Sequence, residues 1–361
     1  MYTPIFVVIP VYNAEKYLEC TVRSVLDQPN VNTQVVLVND GSRDSSGGIC
    51  DELCARDKRI CVIHQENGGV SKARNTGIEA VLEKTKQLGD DAFVAFLDAD
   101  DFWKRDMQWM QAEEEDADII AYSSVMSNAP GKRFGLLHRF TDCVTVGDGA
   151  NTDWLNYGLF AAYLYRADFL RKNKLRFLEG VTHNEDVIFW RQATFCARKV
   201  VFCSEILYVY RMHSGSVMHR NSIEYIKTLH IPKAWNRAIE WIHSLPDVTD
   251  IQKELWTANC NISTGAVLLE NARKLAEYGY SAAQIKAIVL GTPLAQHIDR
   301  LTVEGLAQWQ KGDLVMFREN FEEFVRYHKK RGLLLRAGIN ISKLPIVRKL
   351  YENRKYNLRE I

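Results

Sequence analysis

The stretch Ala92-Phe93-Val94-Ala95-Phe96-Leu97-Asp98-Ala99-Asp100-Asp101 decides the fold. An unbroken apolar run of this length reads as a strand covered on both faces, the pattern of a parallel sheet. It runs without a spacer into three carboxylates, which therefore sit on a turn at the strand's carboxyl end. Carboxylates this close repel one another unless a cation holds them. A hard divalent cation takes oxygen ligands and leaves positions open for a substrate phosphate. The alternative is a solvated acidic turn or helix cap. Asp116-Ala117-Asp118 repeats the tripeptide, but it trails Glu113–Glu115 and precedes a strand, so there the solvated reading is preferred.

Working outward, Ile5–Ile9, Gln34–Val38 and Ile60–His64 are further short, β-branched strands. Helical spacing covers Ala14–Gln28, Ser45–Arg56 and Ser71–Leu88 between them. Strands alternating with helices predict right-handed crossovers, a mostly parallel sheet and an α/β fold. Ligands of such sheets bind beyond the carboxyl ends of the strands, where Pro10–Asn13, Asn39–Ser42 and Asp98–Asp101 fall. From about 105 to 220 the αβ mix is less regular, with strands at Ile119–Tyr122 and Val200–Phe202 and a helix over Asp186–Ala197. Beyond Ser222 the pattern is helical: Ile223–His243, Ile251–Tyr278, Ser281–Val289 and Val303–Arg331, broken near Pro246 and Gly291–Pro293. The expected organisation is 1–220 as one α/β domain, 221–328 as a helical region and 329–361 as a basic tail.

Composition narrows the function classes. The chain has 361 residues, 47% of them hydrophobic and 25% charged, an ordinary globular mix. The formal net charge of +1 argues against a nucleic-acid coat, which needs a basic excess. The eight cysteines form no CxxC pair, which reads as reduced thiols in a cytoplasmic protein. No signal peptide is read at the start, and no apolar run approaches the ~20 residues of a membrane span.

Four other segments carry chemistry. Asp40, ending a strand, is either a turn residue or an acceptor for the imide N–H of uracil or the paired donors of guanine. Gly68-Gly69 lead into a helix whose first turns hold Lys72 and Arg74, either solvated cations or a cradle for anionic groups. Glu185-Asp186 open another helix, as caps or with one acting as a general base. Tyr208–Ser216 gathers Arg211, His213 and two serines about a glycine, a set suited to a diphosphate or metal, or an exposed turn.

Taken in order, Val8–Asn13 with Tyr17-Leu18, Val38–Ser42, Asn67–Gly77, Phe96–Asp101, Glu185–Val187 and Tyr210-Arg211 with Ser214–Ser216 resemble family 2 inverting glycosyltransferases of the GT-A fold. The likeness is to bacterial enzymes that build capsule, exopolysaccharide and O-antigen chains, and it spans roughly residues 5–218. The resemblance implies a nucleotide-diphosphate sugar donor, with a weak preference for UDP through Asp40, and a glycan or lipid-linked acceptor. It implies a nucleotide pocket lined by Pro10, Tyr12, Asp40 and Asp98, with Lys72 and Arg74 nearby. Asp98 and Asp100 would hold Mn or Mg. Asp186 would be the base, with Glu185 beside it, and Arg211 and His213 would approach the diphosphate. Related enzymes often carry a Trp-x-Lys-Leu-Tyr-like segment where this chain has Ala161–Arg166, which implies a reshaped acceptor side.

Residues 329–361 hold ten Lys/Arg against two Glu, a net +8, so the +1 of the whole chain leaves −7 on residues 1–328. A basic amphipathic tail suits an anionic membrane surface, a solvated helix or a docking element. The membrane reading places the protein peripherally on the inner face of the cell membrane. A homo-oligomer stays open. Two other functions compete with this reading: a sugar-nucleotide pyrophosphorylase, which would want a glycine-rich basic N-terminal loop absent at Ile9–Asn13, and a non-catalytic sugar- or partner-binding relative, against which intact Asp100 and Asp186 count.

Overall fold

The computed structural model describes residues 3–87, 91–107, 109, 116–127, 135–138, 140–146, 160–181, 184–212, 230–246, 248–291 and 308–336. The chain divides into two compact units, Met1–Ser216 and Val217–Ile361.

In the first unit, β1 (Ile5–Val11), α1 (Leu18–Leu26), β2 (Thr33–Asp40), α2 (Ser46–Arg56), β3 (Ile60–Gln65), α3 (Val70–Gln87) and β4 (Phe93–Phe96) follow in strict alternation. β5 (Phe102–Trp103), β6 (Ile119–Ser127), β7 (Gly135–His138), β8 (Cys143–Val146), β9 (Tyr163–Arg166), α4 (Ala167–Lys172), α5 (Glu185–Cys196) and β10 (Lys199–Arg211) complete it. The described strands form one sheet in the order β3-β2-β1-β4-β9-β6-β10-β5, with β7 beside β6 and β8 beside β10.

The first four strands pair in parallel, as the alternation requires. β1 lies between β2 and β4, and its side chains from Phe6 to Ile9 are fully buried. α1 turns Leu18, Thr21, Val22 and Val25 inward. Parallel pairing brings the carboxyl ends of β1, β2 and β4 to one edge, and the segments that follow share it. There Arg43 donates its backbone N–H to Asn13 Oδ1 at 2.8 Å, and Ala14 donates to Ser46 Oγ at 2.8 Å.

Beyond β4 the sheet is mixed. β9 runs antiparallel to both β4 and β6, while β6 and β10 are parallel. β10 is far longer than the expected Val200–Phe202 because register shifts between Cys203 and Ile206 and between Ile206 and Tyr208 carry it past polar Ser204-Glu205. Bulges of this kind let a strand continue through a local kink. Asp118 departs from the solvated reading of the second acidic tripeptide. It is buried and accepts from the backbone N–H groups of Arg198 (2.7 Å) and Lys199 (3.2 Å), joining the start of β6 to that of β10.

The second unit is helical: α6 (His230–Ser244), α7 (Asp250–Glu277), α8 (Ala282–Ile285), a π-helical turn Lys286–Leu290, α9 (Gln308–Glu319) and α10 (Phe321–Arg336). Thr249 with Gln252, and Ser281 with Gln284, form capping boxes that start α7 and α8. Leu268, Leu269, Leu275, Ile285, Val289, Phe317 and Phe324 pack into one core. The continuous helix expected over Val303–Arg331 is two helices where it is described. Asn320 breaks it, its Oδ1 accepting from Glu323 N at 3.1 Å as the cap of α10. Among the described residues no helix is long and apolar enough to cross a membrane.

Candidate active site

The acidic turn after β4 divides its three carboxylates between different tasks. Asp101 is buried; it accepts from the backbone N–H of Arg211 at 2.7 Å and from the Tyr208 hydroxyl. Its burial, and then the charges of Asp100 and Asp98, push its pKa well above the usual carboxylate range. Thr21 on α1 donates to the turn's backbone, within reach of the carbonyls of Ala99 (2.9 Å) and Asp101 (2.7 Å). Asp98 and Asp100 stay partly open to solvent.

Arg211, at the end of β10, reaches the same turn. Its Nε donates to the Asp100 carbonyl at 2.7 Å, and its guanidinium lies 5.1 Å from the Tyr17 ring centroid and 4.9 Å from that of Phe102. Arg211, expected to approach the diphosphate, is thus anchored on the backbone of the acidic turn. His213 lies outside the described residues.

Asp40 ends β2 and is nearly fully buried. Its Oδ1 accepts from Gln65 Nε2 (2.7 Å) and Gly68 N (2.9 Å), and its Oδ2 from Gly69 N (2.9 Å). The carboxylate thus fastens the glycine turn that precedes α3, using three of about four acceptor positions. Gly41 must be glycine on two counts: its φ is +67°, and a Cβ there would stand 2.8 Å from the backbone nitrogen of Asn67. Lys72 is exposed and lays its methylenes over Gly68, where a Cβ would meet Lys72 Cδ at 2.2 Å. Pro10 near the end of β1 and the half-exposed Tyr12 just after it lie at the same edge.

Arg74 is placed differently from Lys72. Its side chain is only 4% exposed, with Nη2 donating to Asp98 Oδ1 at 2.7 Å and Nη1 donating to Glu185 Oε1 at 2.9 Å. Its guanidinium carbon lies 4.5 Å from the Phe160 ring centroid and 5.2 Å from that of Phe177. Burial opposes its charge, but the carboxylates of Asp98 and Glu185 raise its pKa above the ordinary arginine value. Phe160 and Phe177 carried no signal in the sequence. Asn75, in the next position, holds Phe177 by both ends of its backbone unit, at 2.8 Å (N) and 3.0 Å (O).

Glu185 and Asp186 form the first turn of α5, entered through Asn184 with a left-handed φ of 63° and no side-chain cap. Asp186 Oδ1 accepts from the backbone N–H of Val187 at 2.8 Å. Desolvation and the negative charge of Glu185 raise the Asp186 pKa to about 6, against the lowering effect of Arg74. A carboxylate with this pKa in the first turn of a helix can accept a proton near neutral pH.

No group of three or more His, Cys, Asp or Glu side chains among the described residues is arranged to hold a metal ion. Asp98 and Asp100 supply two part-exposed oxygen donors, which fits a cation such as Mg that keeps waters and binds substrate phosphates through few protein ligands.

The acidic turn and the Glu185-Asp186 turn, joined through Arg74, sit on one mixed, curled α/β sheet of the GT-A kind. The structure of S. aureus TarS 1–349 in complex with UDP-GlcNAc has this fold, matching with a TM-score of 0.64 over 94% of this chain and 93% of that one, at 19% identity. Residues 6–189 match the sequence family described as glycosyl transferase family 2, and the chain belongs to that family. It is 32% identical over 228 residues to glycosyltransferase GlyG of Streptococcus pneumoniae, covering 59% of this chain and 72% of GlyG. It is 30% identical over 213 residues to the minor teichoic acid biosynthesis protein GgaA of Bacillus subtilis, covering 57% of this chain and 46% of GgaA. The enzyme is accordingly a glycosyltransferase, and the pyrophosphorylase and non-catalytic alternatives give way.

Proposed function

We propose that the chain moves a sugar, with inversion, from a nucleotide-diphosphate donor to a hydroxyl of a glycan or lipid-linked acceptor during cell-surface polysaccharide synthesis. The observation that carries this reading is the meeting of three distant segments on one guanidinium: Arg74 of α3 bonds both Asp98 of the acidic turn and Glu185 beside Asp186.

In this reading Asp186 takes the proton of the acceptor hydroxyl as its oxygen bonds to the anomeric carbon and the nucleotide diphosphate leaves from the other face. Pro10, Tyr12, Asp40 and Lys72 line the nucleotide side, with UDP the favoured donor. Arg211 faces the diphosphate, and His213 joins it. Asp98 and Asp100 would hold Mn or Mg, which would neutralise charge on the leaving group. Binding both substrates in register supplies the orientation. The names of GlyG and GgaA, and the UDP-GlcNAc bound to TarS, support the class of reaction and donor.

Residues 1–220 form the catalytic domain in this scheme, followed by the helical 221–328 and the basic tail 329–361, which would rest on the inner face of the membrane near a lipid-linked acceptor. The tail's described part is the end of α10, and 337–361 lie outside the described residues.

The test is a panel of nucleotide sugars screened by thermal shift with Mn or Mg, followed by transfer assays with wild type and Asp186→Asn. A selective shift by one UDP-sugar, and transfer reduced at least 100-fold by Asp186→Asn, are expected. Full turnover by Asp186→Asn would overturn the base assignment.

A further inference from the structure

Arg74 sits in the glycine-to-helix segment that the family resemblance places near the nucleotide, but its geometry points elsewhere. The guanidinium is buried, and both its terminal nitrogens are engaged by carboxylates 24 and 111 positions away in sequence. Two aromatic rings, Phe160 and Phe177, cover it. The Arg74 side chain is 4% exposed, whereas Tyr12 and Lys72 are open to solvent.

We propose that Arg74 is a positioning residue rather than a donor contact: its fork ties the base-bearing turn Glu185-Asp186 to the acidic turn at Asp98. That it serves transfer rests on reading Asp186 as the base; that it holds the two turns together does not.

Three observations carry the inference. First, α5 begins without a side-chain cap, on an Asn184 in the left-handed region. Its first turn therefore depends on other anchors, and Glu185 to Arg74 at 2.9 Å ties it to another element. Second, the two carboxylates bond different nitrogens, Nη1 and Nη2. A planar fork can span two separate acids, whereas the ammonium of lysine is a point charge on a flexible stem. Third, holding Glu185 inward on the guanidinium leaves Asp186, the next residue around the turn, as the part-exposed acid. The charged groups around Asp186 are Glu185 on its own turn, Arg74 from α3 and Asp98 from the acidic turn, and the neutral phenol of Tyr165 from β9 is the other titratable group.

The experiment follows Asp186 directly, with no donor needed. In full-length protein with 13C-labelled aspartate carboxyls, the Asp186 signal is assigned by its loss in Asp186→Asn and titrated in wild type, Arg74→Met and Arg74→Lys. A nearby cation favours the ionised carboxylate, so its removal raises the midpoint. We expect Arg74→Met to raise it by at least a tenfold change in proton affinity and Arg74→Lys to fall between. An unchanged Asp186 midpoint in a folded Arg74→Met protein would overturn the proposal.

Should Arg74→Met fail to fold, a cycle of Asp98→Asn, Glu185→Gln and their double variant decides by urea unfolding. The two acids are joined through Arg74, so their effects must be non-additive; strict additivity would sink the idea. Loss of transfer in Asp186→Asn tests the base, and the titration tests the tie, so the two readings fail separately. A donor-contact role for Arg74 would instead show as a raised donor KM with kcat retained.

Discussion

The Tyr208 hydroxyl donates to the buried carboxylate of Asp101, fastening the acidic turn to the strand that delivers Arg211. The third acid of the turn is therefore a clasp, while Asp98, bonded to Arg74, and Asp100 stay partly open to solvent. Tyr208→Phe keeps the ring packing and removes one donor from a buried carboxylate. The cost expected for leaving such a group short of a partner is about 1–3 kcal/mol. Urea unfolding should show a lower midpoint with an unchanged slope, and the variant should bind Mn more weakly because the turn is loosened. Wild-type stability in Tyr208→Phe would mean the clasp contributes nothing.

Read as the general base, Asp186 predicts a pH dependence of activity. Its folded pKa is raised to about 6 from 3.8, chiefly by desolvation and then by Glu185. A general base works when deprotonated, so kcat/KM should climb with pH through about 6 and level off above it. Stability runs the other way. The native state holds this proton more tightly than the unfolded chain does, so the contribution is full below the unfolded value and is lost as pH rises through about 6. Glu185→Gln removes the neighbouring negative charge and should move the activity limb to lower pH. A limb that stays in place in that variant would separate the activity profile from this carboxylate pair.

Asp40 makes a different prediction from that of a residue facing only the nucleotide. Its oxygens receive two backbone N–H groups and the Gln65 amide. Asp40→Asn would set an amide N–H₂ against one of these donors. A loss of about 1–3 kcal/mol in stability is expected, together with faster amide exchange at residues 66–69 and weaker binding of UDP. Unchanged exchange with weakened UDP binding would restrict Asp40 to the ligand.

Two glycines on helices give opposite signs. Alanine is normally the better helix former by about 1 kcal/mol. A Cβ at Gly48 on α2 would have nothing within 4 Å, so Gly48→Ala should stabilise by roughly that amount. At Gly77 on α3 the Cβ would stand 2.3 Å from Val8 Cγ1 on β1. Gly77→Ala should therefore destabilise by about 1–3 kcal/mol by pushing the helix off the sheet. Equal effects of the two substitutions in thermal unfolding would contradict this packing.

The sequence is legible wherever the signal is local. The run Ile5–Ile9 and the strand Ala92–Leu97 with its acidic end are periodic or continuous enough to read directly, and the structure has β1 and β4 there. β9 is not legible: Tyr163–Arg166 is too short for any periodicity, and its place between β4 and β6 is a long-range pairing. The same limit governs the site. Asp98, Glu185 and Asp186 stand out as acids at element ends. The fact that Arg74 joins two of them spans 111 residues and depends on rings at Phe160 and Phe177 that look like ordinary core. Asp118 shows the converse error, since an acidic run suggested solvent where a buried carboxylate beside β6 caps the start of β10.

The helical unit provides a test independent of the active site. Gly332 lies on α10 where a Cβ would come within 2.1 Å of the Glu277 carbonyl oxygen at the end of α7. The neighbour is backbone, so no rotamer change relieves the contact, and the two helices must separate. That separation would open the core around Phe324 and Leu275 and displace Glu277 from Arg273, to which it is bonded at 2.7 Å. Helix propensity alone favours Gly332→Ala by about 1 kcal/mol, yet a net loss of about 1–3 kcal/mol is expected because overpacking outweighs it. Urea unfolding together with amide exchange along 250–277 measures both. A stabilised Gly332→Ala protein with unchanged exchange would show that α10 does not lie this close to α7 in solution.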